Sequence, residues 1–335
     1  MKVLITGGAG YIGSTIATAL EAAGHEPVLV DNLHKGRREF TAGRTFYQAD
    51  VADRAAVTQI VGEHPDIGCT IHCAARIVVP ESVAKPYDYY RDNVVKSLEL
   101  FDTLVGLEKP RIVFSSSASL YATSDTFEVT EESPLDPQSP YARTKLVMEM
   151  ALRDICAATQ LRAIVLRYFN PIGADPDFRS GSYDKLPSHV LGRLVAAARG
   201  DIEAFDITGA DHPTRDGTGL RDYIHVWDLA RAHVAAVEQF DTVLATERSP
   251  STVVNLGTGQ GVTVLELLAA FERVSGTTVA TRQLPPRPGD AVGAFANADK
   301  AARLLGWHTE SSLDDAIASA LAWGERRAEL LPDLA

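Results

Sequence analysis

Lys2-Val-Leu-Ile-Thr-Gly-Gly-Ala-Gly-Tyr-Ile-Gly13 decides the fold of this 335-residue chain. Lys2–Thr6 reads as a short strand, and Ile12–Ala23 as a helix closed by Gly24. Between them Gly7, Gly10 and Gly13 let the backbone come close to a pyrophosphate. The helix N-terminus adds free amides and the positive end of its dipole. A strand before such a turn and a helix after it are the context that the motif requires. Asp31 closes a second strand, Pro27–Val30, 18 residues past Gly13. A carboxylate there accepts from a ribose 2′-OH and repels a 2′-phosphate, so the expected cofactor is NAD rather than NADP. Arg37 and Arg38 come six or more residues later and do not alter that reading.

The same rhythm continues outward. Thr45–Tyr47, Cys69–His72, Arg111–Phe114 and Arg162–Leu166 read as further strands, with helices expected over Tyr87–Leu107 and Pro140–Thr159. Alternating strands and helices imply an α/β, doubly wound parallel sheet. Beyond Asn170 the rhythm breaks: Asp175–Lys185 reads as a polar loop, Leu186–Arg199 and Leu313–Leu330 as helices, and Thr208–Gly219 as a turn-rich run. The expected organisation is a dinucleotide domain over residues 1–170 and a smaller, loop-rich substrate domain over residues 171–335, with some segments returning to the first. Asp50-Val51, after the third strand, suits an adenine contact, although an exposed loop aspartate is the competing reading.

Composition narrows the function. Hydrophobic residues make up 45% and charged residues 23% of the chain, as in a soluble globular protein. A net charge of -12 with no Lys/Arg block argues against a nucleic-acid partner. No apolar stretch reaches membrane length and no charged-then-apolar leader is present, so no membrane partner and a cytoplasmic location are expected. Cys69, Cys73 and Cys156 are too few for a disulfide framework and read as packing thiols. No spacing favours a metal site.

Tyr141-Ala-Arg-Thr-Lys145 carries the chemistry, together with Ser117 upstream. A tyrosine and a lysine four residues apart lie on one helix face. An ammonium held beside a phenol favours the phenolate and lowers a pKa that otherwise sits near 10. The pair therefore reads as a base for hydride transfer coupled to removal of an alcohol proton. A solvated helix face is the bland alternative, and the glycine-rich turn and Ser117 weigh against it.

With these motifs in order, the chain resembles the extended short-chain dehydrogenase/reductase family, and within it the UDP-glucose (UDP-galactose) 4-epimerases. The resemblance runs nearly end to end. It includes Leu4-Ile-Thr-Gly-Gly-Ala-Gly-Tyr-Ile-Gly-Ser14, Phe114-Ser-Ser-Ser117, Pro137-Gln-Ser-Pro-Tyr-Ala-Arg-Thr-Lys145, Leu166-Arg-Tyr-Phe-Asn-Pro171 and Asp216-Gly-Thr-Gly-Leu-Arg-Asp-Tyr-Ile-His-Val226. It implies that Tyr141 takes the proton of the sugar 4-OH while the C4 hydride passes to NAD. Lys145 would hold the nicotinamide ribose and keep the Tyr141 pKa low, and Ser117 would bond the 4-oxygen. The 4-keto sugar would turn over and take the hydride back on its other face. The resemblance adds Tyr11, Ile12, Asn32, Ala74, Asn93 and Phe169 to the cofactor contacts. It assigns Asn170, Arg221, Arg287 and Asp290 to the UDP, and it implies a homodimer packed through the helices around Tyr87–Leu107 and Pro140–Thr159. Ala118 and Ser119 stand where sugar-nucleotide dehydratases carry an Asp-Glu pair, and simple reversal at C4 is what remains.

Some positions depart from the family pattern and bear on the substrate. Ile77 replaces a lysine near the cofactor, with Arg76 beside it. His189 replaces an asparagine that contacts the UDP-sugar, and Arg193 lies four residues on, where the same helix face is expected. A C6 carboxylate facing either would make UDP-glucuronate a substrate. Ala294 stands where a bulky tyrosine or a small residue walls the sugar C2 group, leaving room for an N-acetyl group as in UDP-GlcNAc. Two rival functions stay open: a net oxidoreductase that releases NADH, and a non-catalytic dinucleotide-sensing protein, which would have no need of the Tyr/Lys pair.

Overall fold

Seven strands form the central sheet in the spatial order Ser251–Leu256, Arg162–Tyr168, Arg111–Ser115, Ile67–His72, Lys2–Thr6, Glu26–Asp31, Thr45–Gln48. Every neighbouring pair is parallel. The computed structural model describes residues 1–184, 189–285 and 292–334. Each of the six strands expected from the sequence is present. All but the edge strand Thr45–Gln48 bury their apolar runs on both faces, as parallel strands covered by helices must; Val3, Leu4 and Ile5 are 0%, 1% and 0% exposed. Each such side chain contributes about 1.5–3 kcal/mol by leaving water.

The chain leaves Lys2–Thr6 toward one edge of the sheet and later crosses to build the other side from Ile67–His72. That reversal opens a crevice at the carboxyl ends of the central strands, where open α/β sheets bind their ligands. Gly7, Cys73, Ser116 and Phe169 are the first residues past four of those ends.

Several elements differ from expectation, three of them near the site or in the first half of the sheet. The helix expected over Tyr87–Leu107 is broken into Pro86–Tyr90, one π-helical turn at Arg91–Val95, and Lys96–Gly106. The bulge admits one extra residue per turn and turns Asn93 inward, where it is 3% exposed. The helix expected from Leu186 begins at Val190 and is capped by His189, whose side chain accepts from the Gly192 amide; residues 186–188 lie outside the described residues. A helix over Arg54–Glu63, capped by Asp53, has no counterpart among the expected elements.

Residues after Asn170 build smaller sheets. One has four strands, ordered Val262–Thr263, Leu220–Arg221, Gly293–Ala296, Glu128–Val129; two others pair Tyr223–His225 with Asn170–Ile172 and Thr281–Leu284 with Phe205–Thr208. A separate apolar cluster under them includes Ile172, Leu194, Phe205, Phe271 and Ile317. Residues 226–256 run back to the large sheet: Val226–Glu238 packs on Tyr11–Ala22, and Ser251–Leu256 pairs with Arg162–Tyr168. No helix among the described residues is long and apolar enough to cross a membrane.

Candidate active site

The glycine-rich turn is held by backbone bonds from Gly7 N to Val30 O (2.8 Å) and from Gly10 N to Gly7 O (3.1 Å). Gly7 has φ +70°, and a Cβ there would lie 2.8 Å from the Ala74 amide. A Cβ on Gly13 would lie 2.3 Å from Gly7 O. Both positions therefore require glycine, one for conformation and one for close approach. A Cβ on Gly10 would lie 3.2 Å from Gly7 O, tighter than an ordinary contact, so the turn is close-packed at its third glycine as well. Such a cradle fits a pyrophosphate.

The buried Asp31 carboxylate accepts from the amides of Ala9 (3.2 Å) and Leu33 (2.8 Å). Burial raises its pKa, and the two amides oppose the rise. A Cβ on Gly36 would lie 2.8 Å from both carboxylate oxygens, so the strand end and the following loop are closely fitted. Arg37 pairs with Asp333 (2.7 Å) and lies over the Tyr183 ring; Arg38 bonds Gln48 and lies over Phe46. Both cations are thus engaged away from Asp31, and the residues present fit NAD.

Asn32 donates to Asp50 (3.3 Å), whose carboxylate also accepts from Lys96 at 2.5 Å. The neighbouring Val51 is 8% exposed and belongs to a core cluster with Leu100 and Phe101. Tyr11 donates to Gly173 O (2.6 Å), tying the start of the first helix to the second half of the chain, while Ile12 packs on the main core. Asn93 clamps residue 76 from both sides: its Oδ1 accepts the Arg76 amide (2.7 Å) and its Nδ2 donates to Arg76 O (3.0 Å). The Arg76 guanidinium is bound to Asp92 and faces Glu81, while Ile77 is 60% exposed. Arg76 is therefore committed to an acidic pair.

Tyr141 sits in the first turn of helix Pro140–Ala158, which Ser139 caps by accepting the Ala142 amide (3.2 Å). Its ring is 7% exposed. Lys145, one turn on and 4% exposed, donates to Ser115 O at 2.7 Å and lies 5.0 Å above the Phe114 ring. Ser117 accepts the Ser119 amide (3.1 Å) and stands close enough to Tyr141 to act on its ionisation. Burial raises the Tyr141 pKa, and the Ser117 contact only partly offsets this. Lys145 lies one helical turn from Tyr141, as its spacing leads one to expect. Its buried ammonium takes the strand-end carbonyl and the aromatic face as partners, and burial brings its own pKa down to about 8.

Phe169 is 7% exposed and packs with Tyr121, Val129 and Ala296, with Ala118 and Ala294 against the same cluster. Ala294 pairs in register with Arg221, so the smaller sheet brings both residues beside the serine loop. Arg221 donates to Leu220 O (2.7 Å) and Val292 O (3.0 Å). Asn170 reaches the Asp222 carbonyl (3.4 Å). The Asp222 carboxylate, fully buried, accepts from the amides of Thr258, Gly259 and Ala296, joining three segments under the site. Arg287 and Asp290 lie outside the described residues.

His189 and Arg193 are neighbours across the first helical turn, the Arg193 amide donating to His189 O (3.1 Å), but their side chains take separate partners. The His189 ring caps the helix, bonded to the Gly192 amide (3.1 Å) and to Ser182 (3.2 Å). The Arg193 guanidinium bonds Asp206 (3.1 Å), which also binds Arg282.

Two buried networks around the site have no counterpart in the sequence reading. In one, Arg167 binds Glu149 through three hydrogen bonds and Ser116 donates to the same carboxylate. In the other, Ser115 stands between Cys73 and His233. A histidine among Leu229, Ala232 and Ala236 on an apolar helix face was the available signal for the second.

The NAD dependent epimerase/dehydratase family model matches residues 3–257. The chain is 40% identical over 333 residues to a UDP-glucose 4-epimerase of Bacillus subtilis, covering 96% of each. A solved UDP-glucose-4-epimerase from Stenotrophomonas maltophila, with bound NAD and formylated UDP-arabinopyranose, superposes with a TM-score of 0.92 at 38% identity, covering 98% of this chain and 99% of that one. The Bifidobacterium longum UDP-glucose 4-epimerase in complex with NAD+ and UDP gives 0.91 at 35% identity, covering 99% and 100%. The cradle, the serine loop and the Tyr/Lys helix thus stand in a fold shared over its whole length, and the chain belongs to the NAD dependent epimerase/dehydratase family.

Proposed function

We propose that this protein is an NAD-dependent 4-epimerase of UDP-hexoses, with UDP-glucose and UDP-galactose as its first substrates. One arrangement carries the reading: a buried Tyr141 beside Ser117, with Lys145 one turn away, at the carboxyl end of a sheet whose glycine cradle fits a dinucleotide. NAD, when bound, accepts the C4 hydride and returns it to the opposite face of the sugar. Tyr141 Oη takes the proton of the 4-hydroxyl and later gives it back, so the cycle is neutral in protons and electrons. Ser117 holds the 4-oxygen. Lys145 keeps a positive charge beneath the site below about pH 8, where an alkoxide develops. Asn170, Arg221, Arg287 and Asp290 are assigned to the UDP, and two guanidinium groups suit a diphosphate.

Elimination of water is not supported. Ser119 bonds Ser117 (2.9 Å) where a carboxylate would stand in a dehydratase, and the nearby Glu149 is occupied by Arg167. Ala294, opposite Arg221 and beside Phe169, supports admission of a C2 N-acetyl group. The Asp206 partner of Arg193 speaks against a free cation for a C6 carboxylate. Proton NMR of the anomeric signals tests all three, using protein without added NAD in separate tubes. We expect UDP-glucose and UDP-GlcNAc to yield the galacto epimer and UDP-glucuronate to stay unchanged. Absence of conversion in every tube, with and without added NAD, would overturn the activity.

The proposed assembly is a homodimer. Val95 (54% exposed), Val147 (38%) and Met150 (49%) leave an apolar strip on adjoining elements that include helix Pro140–Ala158. Tyr87 and Val83 extend it, at 75% and 60% exposed. Such a patch on a soluble protein marks an interface. Val147→Glu combined with Met150→Glu is expected to halve the mass seen by light scattering. An unchanged dimer mass would place the interface elsewhere.

A further inference from the structure

Residues 175–185 read in the sequence as a polar loop, yet the segment 173–184 is tied to the first helix, Tyr11–Ala22, at several points. Tyr11 donates to Gly173 O (2.6 Å), and Thr18 donates to the Asp175 carboxylate. Thr15 and Ser180 share a hydrogen bond (3.1 Å), and Arg179 pairs with Glu21 (2.6 Å). The far end is held by Trp323, whose Nε1 donates to Ser182 O (2.7 Å). A Cβ on Gly181 would lie 2.6 Å from the Trp323 ring, so this close approach needs glycine. A loop from the second half of the chain is thereby fixed against the helix that follows the glycine-rich turn.

Tyr183 is the residue that this loop delivers to the turn. Its hydroxyl oxygen lies 3.9 Å from where a Cβ on Gly10 would stand. Its ring meets Phe40 edge-on, with centroids 5.5 Å apart, and the Arg37 guanidinium lies over it at 5.8 Å. With Leu33, Lys35 and Gly36, it lines a pocket beside the loop that follows Asp31. The ring is thus held in place, whereas the hydroxyl has no hydrogen-bond partner among the described residues. Burial raises its pKa, and the Asp184 and Asp31 carboxylates add to the rise, so the phenol stays protonated and remains a donor. A fixed donor without an acceptor therefore stands at the glycine where a dinucleotide's pyrophosphate comes close to the backbone. Phosphate oxygens are the acceptors that the chain itself does not supply there.

We propose that Tyr183 is a further cofactor contact, its hydroxyl donating to the pyrophosphate of NAD from a cover that the second half of the chain lays over the glycine cradle. The loop is anchored by its own contacts, so the donor is preorganised, and its effect falls on retention of the cofactor rather than on hydride transfer. The proposal rests on the NAD reading and is independent of which sugar is turned over.

Titration of NADH onto the full-length protein, followed by displacement with ADP and with adenosine, tests it. Tyr183→Phe keeps the ring against Phe40 and under Arg37 and removes only the donor. It is expected to weaken NADH and ADP binding about 10-fold or more, the weight of one hydrogen bond to a charged group. Adenosine has no phosphate and should bind as it does to the wild type, and the melting temperature without nucleotide should not move. Unchanged affinity for NADH and ADP would overturn the proposal, whether or not the melting temperature falls. An equal loss of adenosine affinity would overturn it too, because the hydroxyl would then serve the ribose or the base. Absence of sugar turnover would overturn the epimerase activity alone, since nucleotide binding is read without it.

Discussion

Tyr141→Phe is expected to lower kcat about 10³-fold while leaving NAD bound at its wild-type level. The phenol oxygen is the proposed proton carrier, and the ring alone supplies the packing that keeps it 7% exposed. Phenylalanine keeps that packing, so the fold and the glycine cradle should be unaffected. Burial already raises the Tyr141 pKa, so at neutral pH only a minor fraction is phenolate, and wild-type kcat should climb as pH rises toward that value. The residual activity of the variant should have no such ascending limb. Retained NAD with lost turnover also separates an enzyme from a dinucleotide sensor, for which the hydroxyl would make no difference. Turnover within tenfold of wild type would assign the proton to another group.

Glu149→Gln is expected to destabilise the protein by about 3–5 kcal/mol, the usual cost of leaving one member of a buried ion pair uncompensated. The side chains of Arg167 and Glu149 are only 5% and 7% exposed, so water cannot take over the lost charge. Ser116 donates to the same carboxylate and Tyr121 to Asn255 (2.6 Å), so the pair also anchors the strand end that carries Ser117. Chemical denaturation should show the loss, and kcat should fall with it because the serine loop loses its support. Glu149→Leu combined with Arg167→Met should recover most of the stability but not the activity. Equal stability of wild type and Glu149→Gln would mean that the pair is far better hydrated than its burial indicates.

Much of the site was legible because it is local. The turn between Lys2–Thr6 and the first helix needs glycine at two positions for steric reasons that any reader of the spacing can apply. Asp31 follows from strand length, and the Tyr141–Lys145 spacing from helix geometry. Local rules also failed in definite places. Four-residue spacing joined His189 to Arg193, but the ring is spent on capping the Gly192 amide and the guanidinium on Asp206. The helix over Tyr87–Leu107 looked continuous because its composition is helical, whereas the need to bury Asn93 against the Arg76 backbone puts a π turn in the middle. The Ser115 carbonyl as partner of the Lys145 nitrogen was likewise outside the reach of spacing.

By itself, then, the sequence determined the parallel sheet, the dinucleotide turn, the choice of NAD and the place of Tyr141 and Lys145 on one helix. Each of these is written within a few tens of residues, where backbone geometry alone relates spacing to direction. Only the tertiary structure decided that Ser251–Leu256 completes the large sheet, that Asp222 ties Thr258 to Ala296, and that Arg167 neutralises Glu149. It likewise joined Ser115 to His233 across 118 residues. No local period encodes such contacts: they form because burying the apolar faces of distant segments brings polar atoms out of water together, and each must then find its partner there.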